Sequence, residues 1–468
     1  MSLEPPPPAT GQRATRTRYW VIVLAITLAV VQYVDRVAIS QAKGDIAREM
    51  SFTDVQMGAI FGAFGLAYAL FEIPTGWLGD KIGARKVLIR VVLWWSFFTA
   101  ATGWAWSYVS MWWMRFLFGA GEAGCFPNLT KAFSAWLPKN ERTRAQALMW
   151  MGARWGGAFT PMLVVMVMAF VNWRTAFQIF AALGVVWVVV FWLWFRDNPR
   201  DHKGVNAAER ELLKENEQNV RGHGDVPWLK LVKSPTMWML WAQYFCLSYG
   251  WYFYVTWLPT YLKEERNMDI KSNAFMNWLA GLLEGSLSPE LTIKVLAAAL
   301  AGIPLFFGGF GSLVSGLISN RMIRSGSRVL VVRRAFGVIG FTGASGLLMT
   351  SFYLKDPLVA MLAMGMASFF NDLTMPGSWS ACMDIGGKYA GTISGSMNMM
   401  GNFGGMAGPV VVGIVLAATT VTTTAGTTKN WELVFAISSA IYFLGAFFWL
   451  FIDPVTPLEK AEEAPGQA

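Results

Sequence analysis

The chain has 468 residues, 54% of them apolar and only 14% charged. Soluble domains carry about 25% charged residues, so this composition excludes a string of soluble domains, whose surfaces could not be covered with so little charge. The net charge of +9 would suit a nucleic-acid binder only if its basic residues lay on one polar surface, so their positions decide.

In chain order, residues 1–18 read as a disordered, proline-rich polar tail. Twelve mostly apolar stretches follow, each near the length of about 20 residues that a helix needs to cross a bilayer. They are Tyr19–Gln41, Val55–Leu78, Val87–Ser107, Val109–Ala132, Ala145–Val171 and Trp173–Phe195, then Met237–Leu262, Val295–Ile318, Val329–Phe352, Pro357–Met383, Thr392–Thr419 and Glu432–Ile452. Strand-like alternation is absent, and within lipid only helices pair every backbone group inside their own segment. The expected class is an all-α membrane protein. Its domains would be an N-terminal six-helix bundle (19–195), a cytoplasmic linker (196–235), a C-terminal six-helix bundle (236–453) and a cytoplasmic tail (454–468). The stretch Glu209–Glu217 suggests an amphipathic surface helix within the linker. An insertion at 263–294 is expected to be partly helical and to cover the outer face.

With both termini placed in the cytoplasm, 26 of the 38 Lys and Arg fall on the cytoplasmic side and 9 on the other, leaving Arg36, Arg115 and Arg154 within helices. This is the positive-inside asymmetry. The basic residues therefore report topology and give no support for nucleic acid. Cys125, Cys246 and Cys382 each lie in an apolar run and read as small apolar side chains. His202 and His223, the only histidines, fall in the polar linker, so an enzyme with a His-activated nucleophile or a His metal cluster has nothing to work with. No cofactor or metal is implied. A phosphate-cradling Gly-x4-Gly-Lys-Ser/Thr loop is also missing, which leaves an ion gradient as the energy source.

The halves echo one another. Gly156-Gly157-x-x-x-Pro161 in the fifth stretch returns as Gly404-Gly405-x-x-x-Pro409 in the eleventh. Gly76-Trp-Leu-Gly79-Asp80-Lys-x-Gly83-x-Arg85-Lys86 after the second returns in degenerate form as Gly316-Leu-Ile-Ser319-Asn320-Arg321 after the eighth. A six-plus-six duplication is a transporter architecture, with its substrate site between the halves near the midplane.

Charges are costly in a bilayer, about 2.5–3.5 kcal/mol each on insertion scales, yet Asp35, Arg36, Glu72, Arg115, Glu122 and Arg154 lie inside apolar stretches. They must face a polar cavity or one another. Arg115 and Glu122 stand two helical turns apart on one face, about 10.5 Å along the axis, where both could line one wall of a central cavity. Asp35 and Arg36 diverge by about 100°, so one can face the cavity while its neighbour pairs with another helix. Arg suits an anionic substrate, because its guanidinium stays charged and grips a carboxylate with two parallel hydrogen bonds. Arg154 could serve the cavity, pair with Glu72, or form a buried structural pair. Glu72 could be a further proton site or a gate residue. Tyr68 and Trp379 could be packing, and Asn398 and Asn402 interhelical hydrogen-bond partners.

The loop Gly76–Lys86 resembles the signature after the second helix of the major facilitator superfamily, which implies twelve helices in two pseudo-symmetric six-helix bundles. Within it, Tyr33-Val-Asp35-Arg36, Arg115-Phe-Leu-Phe-Gly-Ala-Gly-Glu122, Trp257-Leu-Pro259-Thr-Tyr261-Leu and Ser378-Trp379 with Asn398-x-x-x-Asn402 resemble the anion:cation symporter family, which includes sugar-acid and sialin-type carriers. That resemblance implies Asp35 and Glu122 as proton-coupling sites. It implies Tyr33, Arg36, Tyr68 and Arg115 at the substrate or holding those carboxyls, and Ser378, Trp379 and Asn398 against its sugar-like body. The family's sugar-acid carriers often have Gln where this chain has Ala153, and Arg154 follows it, a departure that suggests a more anionic substrate such as a dicarboxylic sugar acid. Asp80, Arg85 and Lys86 read as an interdomain latch, the carboxylate capping a neighbouring helix's N-terminus or pairing with Arg in one state only. The expectation is a monomeric, multi-pass protein of a bacterial-type inner (plasma) membrane with both termini cytoplasmic. It would take up a small organic anion, most simply a sugar acid (hexonate, hexuronate or aldarate), by proton-coupled symport. The alternatives are sodium coupling, an anion antiporter or exporter of the same fold, a phosphate-ester exchanger, and a transporter-like sugar-acid sensor.

Overall fold

The computed structural model describes residues 13–220, 226–257, 261, 278, 281, 289–423 and 426–458. Most of the insertion anticipated at 263–294 lies outside the described residues, as do Leu258–Thr260, residues 1–12 and residues 459–468.

Seven long helical segments make up the first half: α1 (Arg18–Met50), α2 (Asp54–Ile82), α3 (Ala84–Thr102), α4 (Tyr108–Glu122), α5 (Cys125–Trp136), α6 (Lys139–Met168) and α7 (Trp173–Trp194). Their starts follow from local chemistry. Thr53 with Gln56 closes a capping box on α2, Ser107 with Ser110 does so on α4, and Asn172 caps α7. Three short linker helices follow: α8 (Ala207–Leu212), α9 (Glu217–Val220) and α10 (Trp228–Lys233). The second half contains α11 (Pro235–Thr256), α12 (Pro289–Arg324), α13 (Val329–Tyr353), α14 (Pro357–Leu373), α15 (Met375–Gly386), α16 (Ala390–Thr419) and α17 (Trp431–Phe451). A two-stranded antiparallel ribbon, Val421–Thr423 with Gly426–Thr428, joins the last two.

Each expected apolar stretch corresponds to a helical pass. By length and hydropathy alone seven segments among the described residues qualify as spans, one of them the run Leu358–Thr419. Two passes differ from the expectation of single helices. The fourth is broken between α4 and α5, and the tenth between α14 and α15. Pro127 and Pro376 stand just after these breaks, and each removes a backbone donor from the helical ladder. The break recurs in the same place in both halves.

The motif echoes also mark equivalent packing. Gly156 lets α6 approach Val30 of α1, and Gly404 lets α16 approach the Phe245 backbone of α11. Gly76 of α2 meets Gly391 of α16 backbone to backbone, while its counterpart Gly316 of α12 packs on Ala147 of α6. The halves meet along these two seams, α2–α16 and α6–α12. Small residues permit such close approach, which is how helices associate where no hydrophobic force drives them together. Large apolar side chains such as Trp94, Phe97, Val186 and Phe443 are exposed on the outer surface, as lipid-facing positions require.

The linker departs from the expected single amphipathic surface helix. Glu209–Glu217 is split into α8, a 3-10 turn at Lys214–Asn216 and the start of α9, and Glu209 is fully buried. Its carboxylate accepts from the Thr15 hydroxyl at 2.5 Å, the Arg18 amide at 3.3 Å and the Arg18 guanidinium at 2.9 Å. The end of the N-terminal tail is thereby tied to the linker.

Candidate functional site

Between the halves lies a cavity of about 50 Å³, lined by Tyr33, Arg36, Tyr68, Phe126, Trp150 and Arg154 of the first half and by Tyr244, Leu247, Ser248, Trp251, Tyr252, Met375, Asn398 and Asn402 of the second. Among the described residues two guanidinium groups line it and no carboxylate does. The acidic groups stand directly behind. Glu122, at the end of α4, accepts from Arg36 Nε at 2.9 Å, and Nη2 stands 2.8 Å from the same carboxylate oxygen. Rings of Tyr68, Phe64 and Tyr33 pack around the Arg36 guanidinium at 4.7–5.4 Å, and a fifth of its side chain stays exposed.

Arg154 reaches the cavity from α6 and pairs with Asp372 of α14, Nε to Oδ2 at 2.5 Å and Nη2 to Oδ1 at 2.9 Å. This two-pronged ion pair spans the halves. Nη1 donates to the Tyr33 hydroxyl at 3.3 Å, and the guanidinium lies over Trp251 at 4.6 Å. Of the two pairings open to Arg154, the partner is Asp372 and not Glu72. Glu72 instead accepts from Asn398, and from Asn402 Nδ2 at 3.1 Å, a second polar bridge across the seam. Sequence reasoning missed Asp372, although an Asn-Asp pair inside the apolar run Pro357–Met383 was a usable signal by the insertion-cost argument.

The remaining expected site residues sit one layer out. Neither Arg115 nor Glu122 lines the cavity as their shared helix face allowed; Arg115 is buried over Phe118 at 4.0 Å, and its Nε and Nη1 have no hydrogen-bond partner among the described residues. Asp35 accepts from Trp95 Nε1 at 3.1 Å, so its neighbour Arg36 is the one facing the cavity. Trp379 donates to the Tyr244 hydroxyl at 2.9 Å and packs on Trp150, behind those lining groups. Ser378 accepts from Gln243 at 3.3 Å. Both are fully buried.

On the basic face the halves are closed. Asp80 accepts from the Gly391 and Thr392 amides at 3.0 and 2.6 Å and from the Thr392 hydroxyl at 2.7 Å, capping α16 across the seam. Lys131 stands 3.3 Å from Asp80 and donates to the Lys388 carbonyl at 2.5 Å. A second lock joins Arg142 of α6 and Arg333 of α13 to the two oxygens of Asp384, each at 2.6 Å. Among the described residues Arg85 and Lys86 take no part across the seam. The Arg85 amide donates to Asp197, its guanidinium donates to the Trp192 carbonyl, and Lys86 is exposed.

The Major Facilitator Superfamily pattern matches residues 25–409, most of the chain. The chain belongs to that superfamily. Among relatives, a protein of Cupriavidus necator named as a probable sulfoacetate transporter is 32% identical over 454 residues, covering 97% of both chains. A probable galactarate/D-glucarate transporter of Escherichia coli is 30% identical, over 87% of this chain and 90% of its own. The solved major facilitator proton:xylose symporter shares the fold with a TM-score of 0.68 at 12% identity, over 94% of this chain. This superfamily member is therefore a multi-pass membrane transporter of the organic-anion kind, not an enzyme, and the resemblance to the anion:cation symporters holds.

Proposed function

We propose that the chain imports a small organic anion by proton-coupled symport and alternating access, with sugar acids as its cargo class. One observation carries this reading: among the described residues two guanidiniums, and no carboxylate, line a cavity between the halves, while Glu122 waits behind Arg36 as its internal counter-ion. In this mechanism Asp35 and Glu122 take protons from the outer side. Protonated Glu122 no longer neutralises Arg36, whose fork then accepts the substrate's anionic group. Tyr33, Tyr68, Arg154 and Asn398 complete the contact, with Arg115, Ser378 and Trp379 supporting it from behind. The neutralised, loaded carrier then rocks its bundles, 19–195 against 236–453, about the linker 196–235. Release of the Asp80 latch opens the basic face to the cytoplasm. The protein works as a monomer in the inner membrane, both termini cytoplasmic.

A smaller cargo of the sulfoacetate kind is the second reading. The cavity's volume of about 50 Å³ holds about four waters, and the relative matched over nearly its whole length is named for sulfoacetate. Thermal shifts with galactonate, galactarate and sulfoacetate separate the cargoes, because a bound ligand raises apparent stability according to its affinity. The coupling test is uptake into proteoliposomes. Uptake should rise with an inward proton gradient, and Glu122→Gln should abolish accumulation above equilibrium. Normal concentrative uptake by that variant refutes the role of Glu122.

A further inference from the structure

The cavity presents two cations in different electrostatic circumstances. Arg36 is neutralised by Glu122 of its own half, from behind. Arg154 is held by Asp372 of the opposite half through Nε and Nη2, which leaves Nη1, whose hydrogen bond among the described residues goes to the cavity-lining Tyr33 hydroxyl at a long 3.3 Å. Tyr33 is shared: its ring packs on Arg36 and its hydroxyl meets Arg154. A guanidinium has five donors in a fixed fork. The side committed to Asp372 fixes the plane, and Trp251 stacks beneath it. The remaining side is oriented and only weakly engaged.

We propose that this remaining edge of Arg154 is a subsite for a second anionic group, so that the transporter selects small two-headed anions over one-headed ones, with Asp372 as the positioning residue that aims it. The first head goes to Arg36 and the second displaces the Tyr33 hydroxyl from Nη1. Asp372 stays paired, so no lone buried carboxylate is created, an arrangement that would be strongly unfavourable. Arg36 and Arg154 both belong to the first half, but Asp372 belongs to the second, so a substrate bridging the two cations is linked to the other side of the seam through the Arg154–Asp372 pair. A one-headed anion on Arg36 lacks that link. The inference rests on the anion-transport reading and adds to it the valence of the cargo and the residue that sets it.

The test measures dissociation constants by calorimetry on the purified full-length protein, with galactarate and galactonate as a size-matched pair of two-headed and one-headed anions. Wild type should bind galactarate at least tenfold more tightly than galactonate. Arg154→Gln combined with Asp372→Asn leaves a neutral hydrogen-bonding pair and no unpaired charge. It should reduce the preference to within about twofold, weakening galactarate much more than galactonate. Arg154→Lys keeps a cation beside Asp372 but lacks the fork; its melting temperature should match wild type while most of the preference is gone. Full preference in Arg154→Lys would reduce the pair to a structural bolt and overturn the subsite. Equal weakening of both ligands in the neutral pair would overturn it too. Binding of neither ligand, nor of sulfoacetate, by wild type would instead sink the anion-transport reading itself.

Discussion

Asp80 is one carboxylate with three hydrogen bonds into the first turn of α16 and a lysine 3.3 Å away. A negative charge at a helix N-terminus contributes about 0.3–1 kcal/mol when exposed and up to about 2 kcal/mol when partly buried. Asp80 is nearly fully buried, so the upper end applies. Asp80→Asn keeps the shape but removes the charge that serves both the helix end and Lys131. The closed basic face should lose about 1–2 kcal/mol, a roughly five- to thirtyfold shift toward the open state. Spin labels at the exposed positions Asn140 and Arg324, one on each half, should report a longer distance in the variant. An unchanged distance distribution would mean that closure does not depend on this carboxylate.

At the scale of elements, the twelve passes were legible because apolar length is a one-dimensional signal; most of their starts fall within three residues of the helix starts, while α1 and α12 run six to nine residues beyond the apolar stretch into polar sequence. The breaks at α4–α5 and α14–α15 were not legible, since hydropathy does not register a missing backbone donor at Pro127 or Pro376. The site divides in the same way. A charge inside an apolar run is visible in sequence, so Arg36, Glu122 and Arg154 could be named. Which charge meets which depends on seams between helices far apart in the chain. That is why Arg154 met Asp372 and not Glu72, and why Lys131 rather than Arg85 or Lys86 joins Asp80 at the latch. The α2–α16 seam itself is a contact of bare backbone: a Cβ on Gly391 would stand 2.6 Å from the Gly76 carbonyl oxygen. Gly391→Ala should therefore push the helices apart, at a cost of about 1–3 kcal/mol to the closed arrangement. Amide hydrogen exchange over residues 388–396 should speed up accordingly. Protection equal to wild type would show that the seam can absorb a methyl group.

For the whole molecule, the linker is a working part of the basic face and not a slack tether. Asn216 accepts from Arg142 at 2.9 Å beside the Asp384 lock, Asn219 donates to the Ser134 carbonyl at 2.9 Å, and Glu209 holds the start of α1. These contacts anchor the linker to the first half and bring it to the seam. His202 makes that anchorage sensitive to pH. Its ring packs on Trp194 at 4.6 Å and against Trp136, and its Nδ1 accepts from the Gly204 amide at 3.0 Å. Burial first, and then the charge of Arg196, hold it below its ordinary value of 6.5. The docked imidazole therefore binds a proton less readily than the undocked one. Its neutral form is compatible with docking above that ordinary value, and stability is lost as pH falls through it, because the undocked chain takes up the proton. The melting temperature of the wild-type protein should fall more between pH 7.5 and 5.5 than that of His202→Asn, whose side-chain carbonyl can still accept from Gly204 but cannot titrate. An equal fall in both would assign the acid sensitivity to other groups and leave the linker's attachment independent of His202.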